Sequence, residues 1–184
     1  MVIQHKRTID DFEAFIALPE YSERRFELIN GEIVEKVTTE EHGVIASNII
    51  FGFKLYGNSR GDRVATEPRH RSPDDETNAR LPDVAYTLKE AALPVTRKGA
   101  VPQMPTIAVE IKSPTDTYIK LREKAAYYLE NGVFMVWLVF PEKRIIEVYQ
   151  VGKDLKILLE NDTISGGDVL PGFEMKVSDV FSGV

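Results

Sequence analysis

Two charged residues stand at the end of an otherwise apolar run, TIAVEIKS, at residues 106–113. Because a strand alternates faces at every residue, Glu110 and Lys112 would project to one side and the aliphatic residues of the run to the other. A buried charge is costly unless it is paired or bound to a metal. Taken alone, the pattern favours a strand end that emerges into solvent with a weak ion pair.

A second carboxylate changes this interpretation. Asp83 follows Pro82 at the start of another predicted strand, LPDVAYTL. If the two strands are neighbours, Asp83 and Glu110 meet at one end of a sheet, where two carboxylates, a backbone carbonyl and waters could bind a hard cation such as Mg²⁺. Such an ion would lower the pKa of a bound water, and Lys112 could orient or deprotonate that water. The pattern therefore predicts a metal-dependent centre for phosphoester hydrolysis.

The elements that must position these residues can be predicted in chain order. The first part of the chain is predicted to form a helix from Thr8 to about Leu18, a hairpin in FELINGEIVEKV with its turn at Asn30–Gly31, and a helix capped by Thr39 that reaches about Leu55. Three strands follow, at 63–67, in LPDVAYTL and in TIAVEIKS. A helix opened by Thr115 and closed by Asn131 and Gly132 then leads to the apolar strand FMVWLVF. A strand, a helix and a buried strand in succession predict a right-handed parallel β-α-β unit. The remaining strands, IIEVYQ, LKILLE and FEMKV, are predicted to be short and antiparallel.

Composition limits the class of protein. A chain of 184 residues fits a single domain, 1–184, and the absence of cysteine excludes disulfides and thiolate chemistry. No apolar run has the length of a membrane span, so we expect a soluble, cytoplasmic protein. The net charge of −6 counts against nucleic-acid binding, although basic residues gather at Arg69–Arg71 and between residues 112 and 124. A basic strip on an acidic molecule is compatible with this distribution.

The order of the motifs carries a family resemblance. PD at 82–83 and EIK at 110–112, within a helix–strand–strand–strand–helix–strand order, resemble the PD-(D/E)XK nuclease superfamily. The chain is identified more narrowly as a member of the Uma2 family, also called DUF820, from FELINGEIVE, LPDVAY, AVEIKSPTD, EKAAYYLENGVFMVWLVFPEKRIIEVY and VLPGFEMKVSDVF. The resemblance implies an α/β fold with a mixed sheet: a restriction endonuclease-like αβββαβ core, an added N-terminal hairpin and C-terminal antiparallel strands.

The resemblance also implies roles for individual residues. It makes Asp83 and Glu110 metal ligands, with the backbone carbonyl of Ile111 as a third, and Lys112 the catalytic lysine. Some relatives have an apolar residue in the strand and keep a helix lysine at the place of Lys124. This chain has both lysines, so their division of labour stays open.

Further residues are expected near the metal or the substrate. Glu27 matches an acidic residue of the family's hairpin, and His42 matches a histidine before the first long helix; both are expected close to the metal. Lys120 and Lys124 would contact phosphate, or else form a solvated helix face. Tyr128 is expected in the core.

The function implied is that of a Mg²⁺- or Mn²⁺-dependent endonuclease that acts on DNA through a metal-activated water, without a covalent intermediate, as a homodimer. Two alternatives stay open. One is a catalytically silent member of the same fold that binds nucleic acid or protein. The other is a metal-dependent phosphodiesterase for a non-nucleic substrate.

Overall fold

The structure is a computed structural model that describes residues 6–184. Its helices are α1 Ile9–Ile16, α2 Glu40–Gly57, α3 Tyr118–Glu130 and α4 Val177–Val180. Its strands are β1 Arg25–Ile29, β2 Glu32–Lys36, β3 Arg63–Thr66, β4 Val84–Thr87, β5 Ile107–Ile111, β6 Met135–Phe140, β7 Ile145–Gln150, β8 Lys156–Leu158, β9 Thr163–Ser165 and β10 Glu174–Lys176.

A mixed six-stranded sheet in the order β3-β4-β5-β6-β7-β8 forms the centre of the fold. Only β5 and β6 pair in parallel within this sheet, and α3 connects them, so the predicted parallel β-α-β unit is confirmed. Together with α2, β3 and β4, this unit completes the predicted αβββαβ order.

Strand β5 divides its side chains between two hydrophobic layers. Ile107, Val109 and Ile111 pack into the core that contains the buried residues of α2. Ala108 packs into the second core with the buried residues of α3. Glu110 belongs to the same strand face as Ala108, so the sheet directs its carboxylate toward α3.

The predicted hairpin forms from β1 and β2, which pair antiparallel on either side of Asn30 and Gly31. Both turn residues have positive φ angles, 51° and 83°, as a tight two-residue hairpin turn requires. Leu28 exchanges backbone hydrogen bonds with Ala79, each 2.9 Å long. This contact fixes the hairpin against the segment that leads into Asp83.

The first turn of α3 differs from the prediction. The helix begins at Tyr118, capped by the side chain of Thr117, and not at Thr115. The Asp116 carboxylate accepts hydrogen bonds from the amide of Ser113, at 2.9 Å, and from its hydroxyl, at 2.7 Å. This local turn competes with helix formation and moves the cap two residues along the chain.

The C-terminal part contains an additional element. IIEVYQ and LKILLE become β7 and β8 at the edge of the main sheet. FEMKV becomes β10, which pairs antiparallel with β9 in a separate two-stranded sheet. Strand β9, Thr163–Ser165, does not follow from the sequence pattern. Throughout residues 6–184, every helix is too short or too polar to cross a bilayer.

Candidate active site

A pocket of about 590 Å³ lies between the hairpin, the end of β5 and α3. Two of its lining residues are buried carboxylates, Glu27 of β1 and Glu110 of β5. Asp83, only 1% exposed, lies just behind this lining and contacts two side chains that form it, Lys36 and His42. Three carboxylates from distant parts of the chain thus come together at one place.

Sheet pairing joins Asp83 to the strand that carries Glu110. The amide of Asp83 donates a 2.9 Å hydrogen bond to the Val109 carbonyl, immediately before the antiparallel pairing of β4 with β5. The Asp83 Oδ2 atom in turn accepts a 2.6 Å hydrogen bond from the amide of Ile111. The two predicted metal-ligand residues therefore meet at the same end of the sheet, and Ile111 lies between them and also lines the pocket.

Lys36, which the sequence analysis did not select, places its ammonium group between these carboxylates. It contacts Asp83 Oδ1 directly and lies 3.6 Å from Glu110 Oε2. It also donates a 2.6 Å hydrogen bond to the Leu81 carbonyl. The register of the hairpin indicates that Lys36 faces the site. Since Glu27 pairs with Val34, the side chain two residues later projects from the same hairpin face as Glu27.

Helix α3 contributes a second lysine and a tyrosine. The Lys124 ammonium lies 2.7 Å from Glu27 Oε2 and 3.2 Å from Glu110 Oε2. Tyr128, four residues later and thus on the same helix face, donates a 2.7 Å hydrogen bond to Glu110 Oε1. Tyr128 is fully buried, as expected of a core residue, but its hydroxyl also orients the Glu110 carboxylate.

His42 and Glu27 are fixed by backbone groups as well as by charges. His42 lies in the first turn of α2, where its amide donates to the Thr39 hydroxyl at 3.3 Å. Its Nε2 atom lies 2.9 Å from Asp83 Oδ1. The second Glu27 oxygen accepts a 2.9 Å hydrogen bond from the amide of Leu81. Both residues thus lie within the carboxylate cluster, and their closeness to a metal stays a prediction.

The carboxylates differ in how their charges are compensated. Burial disfavours ionisation of Asp83, but the contacts with Lys36 and His42 together outweigh it, and the pKa of Asp83 falls to about 2. Burial likewise opposes ionisation of Glu27, yet Lys124 and Lys36 lower its pKa. At Glu110 burial prevails over the same two lysines, so its pKa is raised. Glu110 is therefore the carboxylate whose negative charge is least well compensated by the protein.

The strand lysine lies apart from this cluster. Lys112 Nζ lies 3.5 Å from a Glu142 oxygen and 3.3 Å from the Ser113 carbonyl, and it lies over the Tyr118 ring at the start of α3. Although Lys112 follows Glu110 by two residues, the two side chains reach different ends of α3. Lys120 lines the pocket with Lys124.

The charges around the pocket are mixed. Besides the residues of the carboxylate cluster and its two lysines, the lining contains Lys120, Arg80 and five acidic residues: Glu32, Glu35, Asp116, Glu123 and Glu130. The other basic residues that could have formed a strip pair elsewhere: Arg69 lies 3.6 Å from Glu13, and Arg122 lies 2.5 Å from Glu147. The pocket opening is consequently not the basic surface that the sequence left open.

The donor chemistry of the cluster fits a hard divalent cation. Asp83 and Glu110 supply carboxylate oxygens on neighbouring strands, and three buried carboxylates face only two ammonium groups. Among residues 6–184, no three Asp, Glu or His side chains converge in the arrangement of a formed metal site. The Lys36 ammonium contacts Asp83 and lies 3.6 Å from Glu110.

The mixed sheet, with its αβββαβ order, defines a restriction endonuclease-like protein. A family model for Uma2, described as "Putative restriction endonuclease", matches residues 12–178, and the chain belongs to this family. Its structure is similar to the crystal structure of a "putative nuclease belonging to DUF820" from Anabaena variabilis ATCC 29413. The TM-score is 0.78 and the identity 21%, over 95% of this chain and 97% of that one. This likeness supports the fold.

A second solved structure, a DrdV-DNA complex, matches with a TM-score of 0.37 and 14% identity, over 79% of this chain and 14% of that one. The likeness is too low to bear on the fold or the function of this chain. A comparison with curated proteins finds no match.

Proposed function

We propose that the chain is a metal-dependent nuclease that hydrolyses phosphodiester bonds of DNA at the Asp83–Glu110 centre. The observation that carries the proposal is that Asp83 and Glu110 meet at one end of the sheet beside a pocket, where Lys124 lies 3.2 Å from Glu110. Membership of the Uma2 family supports the reaction class. The Anabaena neighbour is described as a "putative nuclease", which agrees with this class.

Asp83, Glu110 and the Ile111 carbonyl are the groups that would hold Mg²⁺ or Mn²⁺. When bound there, such an ion would lower the pKa of a water and neutralise charge on the phosphate. Glu110 presents its carboxylate in a fixed direction because the Tyr128 hydroxyl holds one of its oxygens. Asp83 is held by the amide of Ile111. These hydrogen bonds keep both carboxylates preorganised before substrate binds.

Lys124 is the catalytic lysine in this proposal. Its ammonium lies 3.2 Å from Glu110, close enough to act on a water or phosphate oxygen at that carboxylate. Lys112 is engaged with Glu142 and the Ser113 carbonyl instead. Lys120, which lines the same pocket, would contact a phosphate of the bound strand.

The proposal is tested by incubating supercoiled plasmid with the protein and Mg²⁺ or Mn²⁺. Asp83→Asn, Glu110→Gln and Lys124→Met should each lower the nicking rate by about a hundredfold or more, because each removes a group that acts at the reacting phosphate. Lys112→Met is the matched control: it removes a lysine of the same segment and should change the rate by no more than a few fold. Circular dichroism checks that each variant is folded.

Nicking that persists in Asp83→Asn and Glu110→Gln would show that the activity has another source. Equal losses in Lys112→Met and Lys124→Met would contradict the assignment of the lysine.

The acidic residues around the pocket favour one alternative, a phosphodiesterase for a small non-nucleic substrate, because they oppose the approach of a long polyanion. Hydrolysis of bis(p-nitrophenyl) phosphate without plasmid nicking would support that alternative. A protein that binds Mg²⁺ and DNA but cleaves neither substrate would be the catalytically silent member of the fold.

A further inference from the structure

The geometry points to Lys36 as an internal cation of the active site, one that occupies the place between Asp83 and Glu110 and must leave before a divalent ion binds there. This inference rests on the proposed metal-dependent function, since it concerns the same two carboxylates. It assigns to the hairpin a role in setting the metal affinity of the site.

The contacts of Lys36 carry the inference. Its ammonium bridges the two carboxylates, touching Asp83 and lying 3.6 Å from Glu110, and its side chain is 12% exposed. Asp83 Oδ2 is held by the Ile111 amide, so the Lys36 ammonium and His42 share the other oxygen. A metal bound between Asp83 and Glu110 would need the oxygens that Lys36 contacts.

The second lysine differs from Lys36 in its partners. Lys124 contacts Glu27 and Glu110, and none of the ion pairs found in residues 6–184 joins it to Asp83. It can therefore stay beside Glu110 when the place between Asp83 and Glu110 is taken by a metal. Lys36 cannot stay, because a divalent ion and an ammonium group that share two carboxylates repel each other at short distance.

Lys36 has a route out of the site. It lines the pocket at the end of β2, and its flexible four-carbon stem allows the ammonium to turn toward solvent. In the absence of metal, the same ammonium compensates the negative charge of the buried carboxylates. Lys36 should consequently stabilise the metal-free protein and weaken metal binding at the same time.

Calorimetric titration with Mg²⁺ and Mn²⁺ tests whether Lys36 weakens metal binding. Lys36→Met and Lys36→Gln remove the competing charge and should bind metal at least about tenfold more tightly than the wild type. Lys36→Arg keeps the charge and should bind no more tightly than the wild type. Lys54→Met is the control, since Lys54 is exposed on α2 and does not line the pocket; its affinity should change by less than about threefold.

Thermal unfolding supplies a readout that does not depend on activity. Without metal, Lys36→Met should unfold at a lower temperature than the wild type, and added Mg²⁺ should raise its unfolding temperature by more than that of the wild type.

The outcomes separate the inference from the proposed function. Metal binding by the wild type with equal or weaker binding by Lys36→Met would overturn the inference and leave the proposed metal site standing. Failure of both folded proteins to bind metal would overturn the metal site itself, and the inference with it.

A measurement on the wild type keeps the inference testable if the Lys36 variants do not fold. Acetylation by an N-hydroxysuccinimide ester, followed by mass spectrometry, reports how accessible each lysine amine is. Mg²⁺ at saturation should increase the acetylation rate of Lys36 several fold and leave that of the exposed Lys54 unchanged. An unchanged rate at Lys36 would mean that its ammonium stays in place, contrary to the inference.

Discussion

At the scale of single residues, the site concentrates charge in a buried place. Glu27, Asp83 and Glu110 are each at most 3% exposed, and two lysines lie within contact of them. Removing one partner from such a cluster leaves an uncompensated buried charge, which costs far more than a surface ion pair contributes. Because taking these charges out of water is itself costly, the cluster is weak evidence for a stabilising role, which is consistent with the proposed metal-binding and catalytic role.

A buried histidine outside the site gives a prediction about pH. His70 lies 2.7 Å from the Gln103 carbonyl through Nδ1, and burial is the main cause that lowers its pKa to about 4. The folded protein therefore keeps His70 neutral, whereas the unfolded chain binds a proton near pH 6.5. Stability is unaffected above that pH and is lost as the pH falls from 6.5 toward 4, by about 2 kcal/mol at pH 5.

Urea denaturation of the wild type and of His70→Gln at pH 7.5 and pH 5 measures this contribution. The variant lacks the titrating group, so lowering the pH from 7.5 to 5 should reduce the unfolding free energy of the wild type by more than that of the variant. Parallel losses of stability in both proteins would show that His70 does not contribute.

Local patterns were enough to select two of the clustered carboxylates. Asp83 was selected at the start of one predicted strand and Glu110 near the end of another, and the structure brings them together at one end of the sheet. Their role as metal ligands stays a prediction. Lys36 was overlooked because its partners lie 47 and 74 residues away in sequence, and a lysine at a hairpin end is ordinarily exposed. Lys112 shares its strand with Glu110, but the length of its side chain lets it reach Glu142 instead.

At the scale of elements, the hairpin is the part that fixes the site from outside the sheet. Its first strand supplies Glu27 and its second ends in Lys36. Gly31 in its turn has a φ angle of +83°, and a Cβ atom there would lie 2.6 Å from the Lys6 Cβ and 3.1 Å from the Arg7 amide nitrogen. The turn therefore depends on glycine both for its backbone conformation and for the close approach of the N-terminal segment.

Gly31→Ala should destabilise the protein by about 2 kcal/mol, because it combines backbone strain with a steric clash. The control is Gly43→Ala: Gly43 lies within α2 and has no atom within 4 Å of the added Cβ. The control should be neutral or stabilising by about 0.5 kcal/mol. Chemical denaturation of both variants measures the difference, and equal effects would argue against a tightly held hairpin.

The strength of the local sequence pattern explains why some elements were predictable and others were not. The hairpin and the β5-α3-β6 unit follow from strong local patterns, an Asn-Gly turn and a continuous apolar strand. The start of α3 was misplaced because the side chain of Asp116 binds the preceding turn. Strand β9 has only three residues and is stabilised by its pairing with β10, which sequence patterns do not reveal.

At the scale of the whole molecule, charge and size bear on how DNA could be engaged. The net charge is −6, and acidic side chains share the pocket lining with Lys120 and Arg80. The pocket of a single copy therefore offers few phosphate contacts, and in the proposed function DNA binding should depend on the metal and on contacts from more than one copy. Two copies related by a twofold axis would present one centre to each strand of a duplex, since the strands run in opposite directions.

We therefore predict a homodimer in solution. Multi-angle light scattering at micromolar concentration should give about 42 kDa, twice the 20.8 kDa mass of the chain. Dilution toward the dissociation constant should lower the measured mass, and the rate of double-strand cleavage per chain should fall with it, because each duplex needs two centres. A mass of one chain across the concentration range, with a cleavage rate per chain that does not depend on concentration, would mean that the protein acts as a monomer.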